Sequence, residues 1–309
     1  MNNKYRIAII GIGGVGGFIG GKLAARYRNS DNVEVIFVAR GNHLKAIREN
    51  GLKVIIAETE MIVHPDLATD DPLQIGPVDL VLCCTKTYHL EESVRAMANN
   101  ITSNTIVLPL FNGVDNAEKI KKIIPQAKVL DGCIYLASKL LSSGVVKQAG
   151  NFYALHFGGS ILPPEQSSFL DTLFSDADIH AVNESDILKR VWTKFAFVSP
   201  LATYTSANNI CFGEILESPV HSAALKQLMS EVIMLAVSKG IPLEAVSIDA
   251  NFEMMAKLPF ETTSSLHNDF SNGRQTEVET LTGYVVREAK NHNLQLNNYE
   301  AFYQQLSSR

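Results

Sequence analysis

The stretch that decides the first half of the fold reads Ile7-Ala8-Ile9-Ile10-Gly11-Ile12-Gly13-Gly14-Val15-Gly16. Its four apolar residues are typical of a buried strand, and the glycines that follow indicate a sharp turn opening a helix. A second apolar run at residues 35–38 completes a βαβ unit. Such a turn lets the backbone approach a pyrophosphate at a helix N-terminus, which predicts that Gly11, Ile12, Gly13, Gly14, Val15 and Gly16 bind a dinucleotide. The alternative is that the glycines only let the helix pack closely on the sheet.

Arg40, at the end of the second predicted strand, indicates which dinucleotide binds. Domains that prefer NAD place an acidic residue at this position to hold the ribose hydroxyls. This chain instead reads Phe37-Val38-Ala39-Arg40, and a guanidinium suits a 2'-phosphate. The sequence therefore favours NADP, used as NADPH, with an ordinary surface arginine as the alternative.

The composition is that of an ordinary globular protein. A length of 309 residues suggests two domains, and 46% hydrophobic with 19% charged residues excludes disordered and fibrous classes. A net charge of -5 lacks the basic excess of nucleic-acid binders, so we expect a small-molecule partner and no nucleic acid. The four cysteines form no CxxC pair, which predicts no metal site and fits a cytoplasmic protein. The uncharged N-terminal stretch is too glycine-rich and short for a membrane span, so no membrane partner is expected.

The pattern along the chain predicts two domains of different class. Up to residue 183, strands alternate with helices, which is typical of an α/β domain with a doubly wound, mostly parallel sheet of the Rossmann type. Within it, the β-branched and aromatic stretch 132–159 would add strands to that sheet or form a small β extension. From residue 184 to 309, apolar residues recur at helical spacing, which predicts an all-helical domain. Its apolar faces are compatible with a homodimer.

Two further strand ends carry polar residues. Lys86 follows the apolar run at 80–84, and Asn112 follows the run at 105–110. Ligands of open α/β sheets bind at the carboxyl ends of the strands, so both residues are candidates for the cofactor site. Taken alone, each would be a turn residue, a helix cap or a solvated charge.

With these motifs and several in the second half, the chain resembles the ketopantoate reductases (2-dehydropantoate 2-reductases) over nearly its whole length. The motifs are the glycine stretch, Val38-Ala39-Arg40, Cys84-Thr85-Lys86, Phe111-Asn112-Gly113, Trp192-Thr193-Lys194-Phe195, Ser264-Ser265, Arg274-Gln275-Thr276-Glu277 and Gly283-Tyr284. The resemblance implies a Rossmann domain, a helical domain, and NADPH-dependent reduction of a 2-keto acid. The implied reaction is ketopantoate to pantoate, in pantothenate and coenzyme A biosynthesis.

The resemblance also implies roles for individual residues. Lys194 matches the catalytic lysine of the family and Glu277 its active-site acid, while Asn112 and Ser265 match positions that orient the substrate. Asn112 and Glu277 are further expected to contact the cofactor. A protonated lysine would stabilise the charge that develops on the carbonyl oxygen and then donate a proton. Without the resemblance, Lys194 and Glu277 would read as residues of solvated helix faces.

The chain departs from the family pattern on the face of the Lys194 helix. Many members carry asparagines four and eight residues after the lysine, where this chain has Val198 and Ala202. These two side chains would form a less polar substrate wall. Two alternatives therefore stay open: a related reductase for a different keto acid, and a catalytically silent NADP-binding sensor protein.

Overall fold

The computed structural model describes residues 4–243 and 246–308. These residues fold into two compact units. The first contains the described residues up to Phe111 together with Asp115–Ile187, and the second contains Asn112–Val114 with the described residues from Leu188 onward. The predicted boundary at Asn183 falls inside a strand, Ala181–Glu184, that pairs within the first unit, so the division lies a few residues later.

Eleven strands are present among the described residues, all of them in the first unit. They are β1 (Tyr5–Ile10), β2 (Val33–Val38), β3 (Leu52–Ile56), β4 (Thr59–Val63), β5 (Leu67–Thr69), β6 (Val78–Cys83), β7 (Ile101–Pro109), β8 (Lys128–Val129), β9 (Asp131–Ser142), β10 (Val145–Gly158) and β11 (Ala181–Glu184).

The helices number twelve in the described part of the chain. They are α1 (Gly14–Tyr27), α2 (Gly41–Asn50), α3 (Leu90–Ala96), α4 (Asn116–Ile123), α5 (Pro164–Asp176), α6 (Ile187–Asn208), α7 (Phe212–Glu217), α8 (Pro219–Ser238), α9 (Val246–Met255), α10 (Ser265–Ser271), α11 (Tyr284–Asn291) and α12 (Asn297–Ser307). The π-helical turn Glu279–Gly283 leads directly into α11.

The principal sheet has the order β5-β2-β1-β6-β7-β8, and all of its strands are parallel. Strand β1 lies inside it and is buried on both faces: Ile7 and Ile9 pack into one apolar cluster, and Ala8 and Ile10 into another. A continuous apolar run is what such a strand requires. The predicted doubly wound α/β domain followed by a helical domain is confirmed.

The stretch 132–159 forms a second sheet and does not extend the first. Strands β9 and β10 form an antiparallel hairpin, and β10 also pairs in parallel with β3 and β11. The resulting five-stranded sheet recruits β3 and β4 from a distant part of the chain. The open alternative in the sequence is thereby resolved in favour of a separate β layer.

Helix α1 packs between the two sheets, and its glycines make this possible. A Cβ at Gly17 would lie 2.6 Å from a methyl of Val146 in β10, and one at Gly20 would lie 3.0 Å from the ring of Phe37 in β2. A Cβ at Gly21 would lie 2.6 Å from Val54 in β3. These three glycines, which follow the predicted dinucleotide motif, therefore let α1 lie close to both sheets.

The second unit has its own helical core. Helix α6 contributes Trp192 and Phe195 to it, and helix α8 contributes Leu228 and Val232. Among the described residues, α8 alone is long and apolar enough to pass a test for a membrane span, and 39% of its apolar window is buried in the protein. Core helices of globular proteins pass the same test.

Candidate active site

The glycine loop after β1 is shaped by close backbone contacts. Gly11 has a φ of +89°, and a Cβ there would lie 2.8 Å from the backbone of Thr85. A Cβ at Gly16 would lie 2.0 Å from the carbonyl oxygen of Gly11, whereas one at Gly13 would meet nothing within 4 Å. Gly11 and Gly16 thus form the turn, and the open space over Gly13 is where an approaching ligand meets least obstruction.

The start of α1 fits an anionic group. Gly13 is the N-cap residue, and no side chain caps the helix. The first N–H groups of a helix have no partner within it, and the helix dipole favours negative charge at this end. The loop therefore supplies the cradle that a dinucleotide pyrophosphate needs. The backbone from Gly11 to Gly16 therefore fits an anionic group such as the pyrophosphate of a dinucleotide.

A polar atom beside this loop is also unsatisfied. The Oγ1 atom of Thr85 is buried, and it has no hydrogen-bond partner among the described residues. The same residue borders Gly11. Buried hydroxyls are normally paired, so an orphan next to a candidate ligand site is an independent indication that a polar group belongs nearby.

Arg40 and Lys86 lie at the carboxyl ends of two strands of the principal sheet, one on either side of β1. Arg40 follows β2 and Lys86 follows β6, and these strands flank β1 with its glycine loop. The Nη1 atom of Arg40 lies 3.2 Å from a carboxylate oxygen of Glu92, and both side chains are largely exposed. The second oxygen of Glu92 lies 3.3 Å from Nδ1 of His89. Arg40 is thus available at the surface, paired with a carboxylate that a 2'-phosphate would have to displace.

His43 is a residue of this region that the sequence did not identify. Its Nε2 lies 2.6 Å from the carbonyl oxygen of Ile12, and its Nδ1 accepts a hydrogen bond of 2.8 Å from the N–H of Gly144. This pattern requires a neutral imidazole with the proton on Nε2. Burial lowers the pKa of His43, although the bond to the Ile12 carbonyl opposes this. A single histidine outside any motif carried no signal by which to recognise it.

In the second unit, Lys194 and Asn112 come together. The Nζ of Lys194, on α6, donates a hydrogen bond of 3.1 Å to Oδ1 of Asn112, which lies 82 positions earlier in the chain. Trp192 and Phe195 pack on Tyr284 with ring centroids 6.3 and 5.9 Å apart, which anchors α6 to α11. The two aromatic residues that flank Lys194 in sequence therefore hold its helix in the core while the lysine stays half-buried.

Glu277 lies just before the π-helical turn. Glu277 is only 5% exposed. Its main-chain carbonyl accepts hydrogen bonds from the N–H groups of Thr280 and Leu281, at 3.1 and 3.0 Å. The structure thus places the predicted acid in a largely buried position that is fixed by the following turn. A π turn inserted into a helix frequently accompanies functional sites.

The adjacent residues Ser264 and Ser265 have different environments at the start of α10. Ser264 caps α10, because its Oγ accepts the N–H of His267 at 3.0 Å, and it also lies 2.8 Å from Oγ1 of Thr205. Ser265 is the first residue of α10, and its side chain is exposed. Ser264 therefore has a structural role, while Ser265 retains an accessible hydroxyl.

Val198 and Ala202 occupy the two positions on α6 where many family members carry asparagine, and of these two side chains only Val198 is accessible to solvent. Val198 is partly buried, whereas Ala202 is 1% exposed and packs in the core of the second unit. A ligand on this face would meet Val198 before Ala202.

The helical unit also contains a cavity of about 620 Å³. Its polar lining includes Ser206, Asn209, His267, Arg274, Glu279 and Ser307. Neither Lys194 nor Glu277 lines it. Arg274 is neutralised there by Asp269, whose Oδ1 lies 2.9 Å from the guanidinium Nε.

The parallel sheet with its glycine loop, followed by a helical unit, defines a pyridine-nucleotide-dependent oxidoreductase. The family model described as Ketopantoate reductase PanE/ApbA matches residues 7–159, and its C-terminal counterpart matches residues 186–309. The chain belongs to the ketopantoate reductase family.

Several proteins of known sequence or structure are similar to this chain over nearly its whole length. A crystal structure of 2-dehydropantoate 2-reductase from Porphyromonas gingivalis W83 is 32% identical, with a TM-score of 0.86 over 99% of this chain and 100% of that one. The 2-dehydropantoate 2-reductase of Halobacterium salinarum is 25% identical over 94% of this chain and 93% of its own length. The uncharacterized oxidoreductase YkpB of Bacillus subtilis is 24% identical over 97% of each chain. A structure of D-mandelate dehydrogenase with NADH and anilino(oxo)acetate shares the fold, at 19% identity and a TM-score of 0.87 over 98% and 97% of the chains.

Proposed function

We propose that this protein catalyses the NADPH-dependent reduction of a 2-keto acid, with 2-dehydropantoate reduced to pantoate as the leading reaction. The observation that carries the proposal is the hydrogen bond of 3.1 Å between Lys194 Nζ and Asn112 Oδ1. It joins the two family motifs in which a catalytic lysine and a substrate-orienting amide are expected. The reaction belongs to pantothenate and coenzyme A biosynthesis, and we expect it to take place in the cytoplasm.

Lys194 is the proton donor in this proposal. NADPH, when bound, supplies the hydride that attacks the carbonyl carbon. The Lys194 ammonium stabilises the negative charge that develops on the carbonyl oxygen and then transfers a proton to it, which completes the alcohol. Asn112 accepts a hydrogen bond from the amine and so fixes its direction.

Glu277 and Ser265 hold the substrate in this proposal. The carboxylate of Glu277 accepts a hydrogen bond from a substrate hydroxyl, and the accessible hydroxyl of Ser265 donates one to the substrate carboxylate. Glu277 is also the acid that the family pattern places next to the cofactor.

The first unit holds the cofactor. The glycine loop and the N-terminus of α1 bind the pyrophosphate, and the Thr85 hydroxyl offers an unused hydrogen-bonding group beside it. Arg40 and Lys86 bind the cofactor from the strand ends on either side of this loop, with Arg40 exchanging Glu92 for the 2'-phosphate.

The decisive test follows the absorbance of NADPH in the presence of the purified enzyme and 2-dehydropantoate, and is repeated with NADH. We expect oxidation of NADPH that depends on the keto acid, with a kcat/KM at least about tenfold above that for NADH. If NADPH binds and none of a panel of 2-keto acids is reduced, the reductase proposal fails and the silent sensor remains. Preference for NADH would overturn only the assignment of Arg40.

A second candidate is a reductase for a keto acid with a less polar substituent. Val198, partly exposed on the Lys194 helix, favours it, because the family pattern has an asparagine there. The panel should therefore include branched aliphatic and aromatic 2-keto acids. If one of these exceeds 2-dehydropantoate in kcat/KM by more than about tenfold, the second candidate replaces the first.

The protein also has a surface suited to self-association. On α8, Val220, Met234 and Val237 are 76%, 51% and 54% exposed. We expect a homodimer, and light scattering after size-exclusion chromatography distinguishes a dimer from a monomer.

A further inference from the structure

The serine and threonine hydroxyls of α6 bond in two ways. Thr193, Thr205 and Ser206 bond back to the carbonyl four residues earlier, at 2.7, 2.7 and 2.6 Å, which is the usual arrangement inside a helix. Of these, Thr205 also bonds outside α6, to Ser264 Oγ at 2.8 Å. Ser199 and Thr203 form a second group, whose partners lie in the π-helical turn and in α12.

The second group reaches the π-helical turn after Glu277. Ser199 Oγ donates to the carbonyl oxygen of Leu281 at 2.6 Å and therefore accepts from the hydroxyl of Tyr299, at 2.7 Å. Thr203 Oγ1 lies 2.7 Å from Oγ1 of Thr282. We call Ser199, Thr203, Thr282 and Tyr299 the hydroxyl cluster.

All four members of the hydroxyl cluster are 0% exposed. Burying a hydroxyl is costly unless it is paired, and apolar side chains of the same shape would fill such a core at little or no cost in stability. A buried polar cluster whose groups are all hydrogen-bonded instead fixes the relative position of the helices and turns that it joins. Here it joins α6 to the π-helical turn and to α12.

The π-helical turn connects the hydroxyl cluster to Glu277 through the backbone of Leu281. Leu281 accepts the Ser199 hydroxyl through its carbonyl and donates its N–H to the carbonyl of Glu277, at 3.0 Å. On α6, Ser199 lies five residues after Lys194 and directly before Pro200, so the contact from Ser199 to Leu281 belongs to the same part of the helix as Lys194, whereas Thr203 lies beyond the proline. The π turn adds a residue to the register between Glu277 and α11, and Thr282 lies within that turn.

We propose that the hydroxyl cluster positions Glu277 relative to Lys194, so that Ser199, Thr203 and Thr282 are positioning residues for the reduction. The inference rests on the proposed function, in which both residues act on one substrate. The hydroxyls themselves do not touch the substrate. They act by holding the π-helical turn, which carries Glu277, against the helix that carries Lys194.

The test is Thr203→Val, which keeps the side-chain shape and removes the hydroxyl. We expect kcat with the best keto acid to fall about tenfold or more, since misplacements of 1 Å in an active site cost up to about a hundredfold. NADPH affinity should fall less than kcat does, because the glycine loop and Arg40 are unchanged in this variant. Thr203→Ser, which keeps the hydroxyl, should retain most of the activity. Ser206→Ala is the matched control, because it removes a buried hydroxyl of the same helix that donates to the carbonyl of Ala202.

A double-mutant cycle separates positioning from general damage. In a Glu277→Gln background, Thr203→Val should have little further effect on kcat, because the group it positions is already disabled. An undiminished effect in that background, or normal turnover of Thr203→Val alone, would overturn the inference. If Glu277→Gln itself turns over normally, the assignment of Glu277 fails, and the positioning role fails with it. Impaired Glu277→Gln with normal Thr203→Val overturns the positioning role alone.

Discussion

The candidate site of the first unit consists mainly of backbone groups, whereas that of the second unit consists of side chains. In the first unit the site is mainly backbone: the turn depends on the absence of side chains at Gly11 and Gly16. In the second unit it consists of functional groups, with the amine of Lys194 held by Asn112. The first site is therefore sensitive to added atoms and the second to removed ones, and substitutions of opposite kinds should damage them.

The largest effect is expected from removing atoms in the second unit. Lys194→Ala should lower kcat/KM by about 10²- to 10⁴-fold, because both charge stabilisation and the proton donor are lost. NADPH affinity should change by less than about twofold, since the glycine loop lies in the other unit. The measurements are steady-state kinetics and NADPH fluorescence titration.

Lys189→Ala is the control for this experiment, because it removes an exposed lysine from the same helix. It should keep normal kinetics. Undiminished turnover of Lys194→Ala would remove Lys194 from the mechanism.

The next effect is expected from adding atoms in the first unit. Gly16→Ala would bring a Cβ to 2.0 Å from the Gly11 carbonyl oxygen, so the backbone must move. We expect a loss of about 3 kcal/mol or more in the free energy of unfolding, together with loss of NADPH binding. Denaturant unfolding and fluorescence titration measure the two quantities.

Gly13→Ala sharpens the comparison, because it adds the same methyl group where the protein offers open space. Its φ of -86° is accessible to alanine. The protein should keep its stability to within about 0.5 kcal/mol while NADPH binds at least about tenfold more weakly. Equal NADPH affinity for this variant and the wild type would show that the ligand does not approach Gly13.

The same contrast explains what could be read from the sequence. The glycine loop is local, so ten consecutive residues predict its strand, turn and helix. The contact between Lys194 and Asn112 spans 82 positions and was not predicted. Asn112 was a candidate because it follows a strand, whereas Lys194 was identified only through the family resemblance. The second sheet was left open because β10 pairs with β3, about ninety positions away, and β-branched composition does not specify a partner.

Other features had no sequence signal at all. Ser264 and Ser265 are adjacent and chemically identical, and only the start of α10 decides which one caps the helix. The bonding of Ser199 and Thr203 out of α6 depends on which neighbours face them in the folded unit. Ala202 lies in the core although it shares a stripe with Val198, because helical spacing does not tell how deep a groove runs.

Substitution of Arg40 tests whether a side chain contributes to cofactor binding in the first unit, where the site is mainly backbone. Arg40→Gln should weaken NADPH binding by about ten- to a hundredfold and leave NADH binding within twofold, because only NADPH carries the 2'-phosphate. Arg95→Gln is the control, an exposed arginine in an ion pair with Glu91 at 3.8 Å. Equal weakening of both cofactors would contradict a role for Arg40 at the phosphate.

Glu92→Gln should act in the opposite direction. It removes the carboxylate that pairs with Arg40, so NADPH should bind a few-fold more tightly at low ionic strength, with the gain declining as salt is added. No change in NADPH affinity at low salt would show that this pair does not compete with the cofactor.

The smallest effect is expected at His43, which links the glycine loop to the second sheet. Burial lowers its pKa from the ordinary 6.5, so the folded protein binds a proton there less readily than the unfolded chain does. The stabilisation that depends on the neutral ring is thus fully present above about pH 6.5 and is lost as the pH falls from there toward the folded-state pKa. Protonation also ends the bond from the Gly144 N–H, because Nδ1 can then no longer accept it.

The experiment measures melting temperatures between pH 5 and 8 for the wild type and for His43→Gln, whose side chain does not titrate. On acidification, the melting temperature of the wild type should fall by about 1 to 2 °C more than that of the variant. Parallel curves for the two proteins would show that the loop is held independently of this imidazole, and the first site would then depend on glycine geometry alone.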